Sequence, residues 1–202
     1  MLKFVGILLS KSILGNRMKL VVAALTLATA GSVMAQSSGV SETGIRYNEV
    51  GVGYTSLAAS GTTLQGYTLN ASALVEKNFV IDATYANVSK SSNSISSTGL
   101  NVGYRIGVAP NVDAGVKVGY IATGGSSSES SYAVGGFVNA QLTPELVLGG
   151  NLSYTGLAST NYFYTGSLGY HITENITARG SIRGSSGNFT TTTYIASVGY
   201  NF

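Results

Sequence analysis

From Thr192 to Phe202 every second side chain is large or apolar: Tyr194, Ala196, Val198, Tyr200 and Phe202 alternate with Thr193, Ile195, Ser197, Gly199 and Asn201. A period of two is that of a β-strand, whose successive side chains point to opposite faces. The same period runs back through most of the chain. It shows in Val50–Tyr54, Tyr67–Val75, Phe79–Tyr85, Leu100–Val108, Val112–Tyr120, Tyr132–Leu142, Leu146–Tyr154, Tyr162–Ile172 and Ile176–Ile182. Polar turns fall at 76–78, 109–111, 143–145 and 173–175, at intervals of 33, 34 and 30 residues, so the repeated unit is a hairpin. With 27 Gly, 2 Pro and no Cys the chain suits short strands and tight turns, and neither a disulfide nor a thiolate metal site is open to it.

Charge decides between a soluble sheet and one in lipid. No charged residue falls on the apolar parity of these ten segments, and twelve of the 13 Tyr lie on it, many near strand ends. A lysine or arginine at the bilayer midplane would cost about 2 to 4 kcal/mol, and tyrosine collects at membrane interfaces. The opposite parity is small and polar, as in Asn70, Ser72, Asn101, Gly103, Gly115, Asn139, Ser153 and Ser167. This pattern predicts a transmembrane, antiparallel, up-and-down β-barrel of ten strands, with eight as the alternative count if the first hairpin is mispaired. Closure removes sheet edges, which in lipid would leave unpaired backbone groups. A soluble barrel with the apolar face inside is the competing arrangement, and twelve tyrosines would fill its interior awkwardly.

The chain ends on Gly199-Tyr200-Asn201-Phe202. This ending resembles the C-terminal signal of Gram-negative outer-membrane β-barrels, and residues 45–202 resemble small barrels of the opacity-protein and OmpA-like kind. The resemblance implies an outer-membrane location reached through the periplasm, with the turns at 76, 109, 143 and 173 facing the periplasm. It also implies contact with outer-membrane lipid and lipopolysaccharide, and reading of Tyr194, Val198, Tyr200 and Phe202 by the barrel-assembly machinery.

Residues 1–35 read as a signal peptide: Met18-Lys19, an apolar run from Leu20 to Ala28, and a small-residue site ending at Ala35. Residues 1–17 are an extension of that signal or lie upstream of a start at Met18. Four of the 11 basic residues sit in the first 19 positions, and beyond them seven basic residues face eight acidic ones, so nucleic-acid binding is not expected. Residues 36–44 read as a polar, flexible N-terminal segment, too short to plug a barrel.

The candidate lumen-lining residues are Glu49, Asp82, Arg105, Asp113, Lys117, Arg179 and Arg183, with His171 near a turn. Arg105 is expected opposite Gly115 and diagonal to Asp113 if Val108 and Val112 pair across the turn. These charges read either as a paired, hydrated network supporting the wall or as a pore lining with weak anion preference. His171 has no carboxylate beside it except Glu174 in the turn, so no catalytic residue is assigned. No metal-ligand cluster, phosphate loop or cofactor motif stands out.

Ser-, Gly- and Thr-rich stretches at 57–63, 89–97, 123–131, 157–161 and 184–191 read as short external loops. The function expected is a non-enzymatic structural or surface-interaction role, the alternative being a narrow porin-like diffusion channel for small hydrophilic solutes or ions. Oligomeric state is left open. An arginine at Val116 or Leu152 should cripple membrane assembly, whereas one at Gly115 or Ser153 should be milder.

Overall fold

The computed structural model describes residues 39–59, 61–91, 93–125, 128–156, 161–187 and 190–202. The signal-peptide reading lies outside them. Ten strands follow in order: β1 (Glu49–Ala59), β2 (Thr62–Val75), β3 (Phe79–Lys90), β4 (Asn93–Ala109), β5 (Val112–Gly124), β6 (Glu129–Gln141), β7 (Leu146–Thr155), β8 (Asn161–His171), β9 (Ile176–Ser186) and β10 (Thr191–Asn201). Each pairs antiparallel with its sequence neighbour, and β1 pairs with β10, so the sheet closes into an up-and-down barrel of ten strands.

The register turns the alternation into two faces. Val52 is opposite Val198 and Leu69, while Gly53 is opposite Ser197 and Thr68, so apolar rows and small polar rows each run continuously around the ring. The apolar rows face outward: Val116 is 65 % exposed and Tyr132 63 %, with Leu152, Ile182, Val198 and Tyr200 also bare. An apolar belt of this extent is unstable against water and matches the hydrocarbon of a bilayer. Every charged residue within the strands, including Lys90 and Glu129 near the ends of β3 and β6, has the inward parity.

Two expectations are revised at the barrel's ends. The stretches 57–63 and 89–97 are mostly strand, since β1 runs to Ala59, β2 starts at Thr62 and β4 spans 17 residues. Ser and Thr there carry the ladder onward as cross-strand partners, for example Ala86 with Ser97 and Ser89 with Ser94. At the other end Val108 does not pair with Val112. The register slips between Gly107 and Ala109, and Ala109 takes Val112 as partner. Such a bulge places two residues against one and bends the strand into its turn.

Both ends of the barrel chain, residues 39–48 and Phe202, lie at the end of the barrel that carries the four tight turns. The segment expected to be flexible and too short for a plug is, over its described part, packed into that mouth. Val40 bridges Arg46, the amide of Tyr47 donates to the carbonyl of Gly39 (2.7 Å), and Ser41 and Ile45 close the turn between them (2.8 Å). Gly44 has a φ of +83°, which a side chain would strain, and sits against the side chain of Gln141 on β6. The only cluster of buried apolar side chains among the described residues is here, where Ile45 and Tyr47 pack on Leu74 of β2 and Val80 of β3.

Candidate functional site

The inward-facing charges fall into two ion pairs near the tight-turn end and a set outside any ion pair. The first pair is organised by Asp113. On β4 and β5 the register sets Arg105 opposite Gly115 and Gly107 opposite Asp113, so Arg105 and Asp113 are diagonal as expected, the bulge making up for the pairing of Ala109 in place of Val108 with Val112. Arg105 Nη1 donates to Asp113 Oδ1 at 2.8 Å, and the two residues are 1 % and 0 % exposed. The other guanidinium nitrogens, Nε and Nη2, donate to the carbonyl of Lys77 at 3.0 and 2.7 Å, tying the β2–β3 turn to the same point.

From the N-terminal segment, Thr43 Oγ1 donates to Asp113 Oδ1 (2.7 Å) and the Tyr47 hydroxyl donates to Asp113 Oδ2 (2.8 Å). In the ring β5 and β6 stand opposite β1, so Tyr47, two residues ahead of β1, reaches Asp113 only by crossing the lumen. Burial raises the Tyr47 phenol above its ordinary value, so it stays protonated and keeps its proton for the carboxylate. Ser72 Oγ donates to the Tyr47 carbonyl, the amide of Leu74 donates to Asn48 Oδ1 (2.8 Å), and Arg46 Nη1 donates to the carbonyl of Glu174 in the β8–β9 turn (2.6 Å). The segment is therefore held to β2, to β5 across the mouth and to the β8–β9 turn.

A second pair stands beside it. Arg179 Nη2 donates to Glu49 Oε2 at 2.8 Å, and Asn70 Nδ2 donates to Glu49 Oε1 at 3.2 Å. His171 lies at the same end, its Nδ1 2.7 Å from Thr177 Oγ1, which also accepts from Asn201 Nδ2 at 2.7 Å. Its hydrogen-bond partner is thus a hydroxyl on the neighbouring strand and not a carboxylate.

The remaining three predicted residues form a different group. Asp82 on β3, Lys117 on β5 and Arg183 on β9 share the inward parity of their strands. Asn101 Nδ2 donates to Asp82 Oδ1 at 2.7 Å. Among the described residues neither Lys117 nor Arg183 is in an ion pair, and all three side chains are half-buried. The predicted lumen charges thus separate into two neutralised pairs and three residues, Asp82, Lys117 and Arg183, outside any ion pair among the described residues.

The sequence reading missed the segment 39–48 as part of this site. Its signal was Tyr47, the one tyrosine off the outward parity. Ile45, Tyr47 and Glu49 share the inward parity of β1, so the inward face begins before the strand does.

No protein-family model and no curated protein sequence matches the chain. Solved structures do. The β domain of the Bordetella autotransporter BrkA superposes with a TM-score of 0.55 at 8% identity, covering 77% of this chain and 99% of that one. The fold is that of an outer-membrane β-barrel. Other similar structures are the KdgM porin in complex with disordered oligogalacturonate (TM-score 0.46, 18% identity, 76% of this chain and 99% of that one) and Ail, the attachment invasion locus protein of Yersinia pestis (TM-score 0.39, 12% identity, 77% and 99%). A fold does not by itself fix a function, so the role of this barrel has to be argued from its own residues.

Proposed function

We propose that the chain is an integral outer-membrane protein with a non-enzymatic structural or surface-interaction role, its barrel closed to passive flow from the periplasmic side. An even strand number puts both ends of the barrel at one mouth, which in bacterial barrels faces the periplasm. The observation that carries the reading is the course of residues 39–48 across that mouth, held at Asp113, Asn48 and Arg46. A floor tied to β2, β5 and the β8–β9 turn leaves the outer surface and the lumen above it as the parts open to partners. Outer-membrane lipid and lipopolysaccharide would contact the apolar belt, and the barrel-assembly machinery would engage the last strand.

A narrow channel is the second reading, favoured by the half-buried Asp82, Lys117 and Arg183, which keep the middle of the lumen polar. Planar-bilayer conductance separates the two. Refolded protein beginning at Gln36 should be silent, and the same protein lacking 37–46 should show discrete steps. Steps of equal size from the intact chain would overturn the closed-floor reading.

A further inference from the structure

At the end away from the tight turns, the outward tyrosines of β1 to β6 form a row. Tyr54 is opposite Tyr67, Tyr120 is opposite Tyr132, and the rings of Tyr67 and Tyr85 are 6.1 Å apart. Such a row marks the level where hydrocarbon gives way to lipid heads. Three strands continue well past it: β2 begins at Thr62, β3 runs to Lys90 and β4 begins at Asn93. From Tyr85 to Lys90 is about 16 Å of strand.

The outward face of this projection is polar and uncharged. Gln65 is opposite Ser89, Ser89 opposite Ser94, Asn87 opposite Ser96 and Tyr85 opposite Thr98. Gln65, Ser89, Ser94 and Thr98 are exposed, and among the described residues their side chains make no hydrogen bond within the chain. Lys90, the charged residue at the tip, has the inward parity. Surfaces kept soluble by water alone carry charge on about 25 to 35 % of their side chains. No outward residue of β2, β3 or β4 beyond the tyrosines carries any.

This face continues the apolar belt on the same strands, so what covers it is the head of the lipid whose chains cover the belt. Phosphate there would meet no lysine or arginine. Neutral sugars would meet what they need, since their hydroxyls donate and accept and so do the side chains of Ser, Thr, Asn and Gln. The pleat holds those side chains in fixed rows.

We propose that the projecting outward face of β2 to β4 docks the neutral sugars of lipopolysaccharide around the barrel, with Gln65, Asn87, Ser89, Ser94 and Thr98 as the contacts. The proposal rests on the outer-membrane reading and is independent of whether the floor is closed.

The test places the refolded chain from Gln36 in phospholipid nanodiscs that also hold lipopolysaccharide, either with its oligosaccharide complete or trimmed to the phosphorylated, acylated disaccharide. The side-chain amides of Gln65 and Asn87 are followed by NMR. The complete lipid should shift both signals saturably, and about 0.5 M NaCl should leave the shifts in place because no charge pair is involved. The trimmed lipid should leave them where phospholipid alone does. Ser89→Ala with Ser94→Ala should raise the mole fraction of complete lipid at half-saturation severalfold, heat-modifiable mobility verifying the fold.

Equal shifts from the trimmed lipid would assign the contact to chains or phosphates and overturn the proposal. So would shifts lost in salt, or an unchanged half-saturation in the double variant. Recovery of the protein in the outer-membrane fraction tests the underlying reading, and conductance tests the floor, so each fails separately.

Discussion

Asp113 shows how much one lumen residue can hold. Its carboxylate takes hydrogen bonds from Arg105, Thr43 and Tyr47, joining the wall, the N-terminal segment and, through Arg105, the β2–β3 turn. Asp113→Asn would leave the Arg105 guanidinium buried without its counter-charge, which costs about 3 to 5 kcal/mol where one partner of a buried pair is removed. The expected outcome is a marked fall in the urea midpoint for loss of heat-modifiable mobility. Tyr47→Phe removes a donor to that carboxylate and the acceptor of Asn139 Nδ2, without uncovering a charge, and should cost about 1.5 to 3 kcal/mol in the same measurement. The diagonal of Arg105 and Asp113 agrees with the sequence reading although the turn pairing it was argued from does not form: Ala109 takes Val112, and the bulge between Gly107 and Ala109 returns Arg105 to Gly115. Tyr47 on Asp113 was not legible in the sequence, since that contact spans half the ring and no local spacing encodes it.

At the scale of the strand, parity sets what a substitution does. Arginine at Val116 or Leu152 enters the apolar belt and should reduce the yield of folded barrel in bilayers steeply, by about 2 to 4 kcal/mol per site at mid-depth. Ser153→Arg points inward and should assemble far better. If both parities failed equally, the outward face would be wrongly assigned.

Gly115, which parity alone marks as a mild site, is not one. A Cβ there would lie 2.4 Å from the Tyr104 carbonyl oxygen and 2.6 Å from the Phe137 ring, so Gly115→Ala should itself lower stability, with Gly166→Ala, in open space, as the neutral control. Strand number, facing and the four tight turns could be read from the period of two because lipid enforces it without exception. The far-end stretches could not, because Ser and Thr serve a loop and a strand edge equally well.

For the whole molecule, the seam between β1 and β10 is where the two ends of the barrel chain meet. Glu49 pairs with Asn201, and the amide of Phe202 donates to the carbonyl of Asn48 at 3.2 Å. Deleting Phe202 should lower insertion into membranes, measured as the fraction of heat-modifiable protein recovered in the outer-membrane fraction. Unchanged recovery would mean the terminal aromatic is not read during assembly.

Asn48 has a further consequence, because it belongs at once to the seam and to the segment beneath the lumen. Its carbonyl receives the last backbone amide of the chain while its side chain receives Leu74. Closure of the ring and docking of the segment therefore meet at one residue. A sheet whose first and last strands are still apart has no β1 anchor from which Tyr47 can reach Asp113.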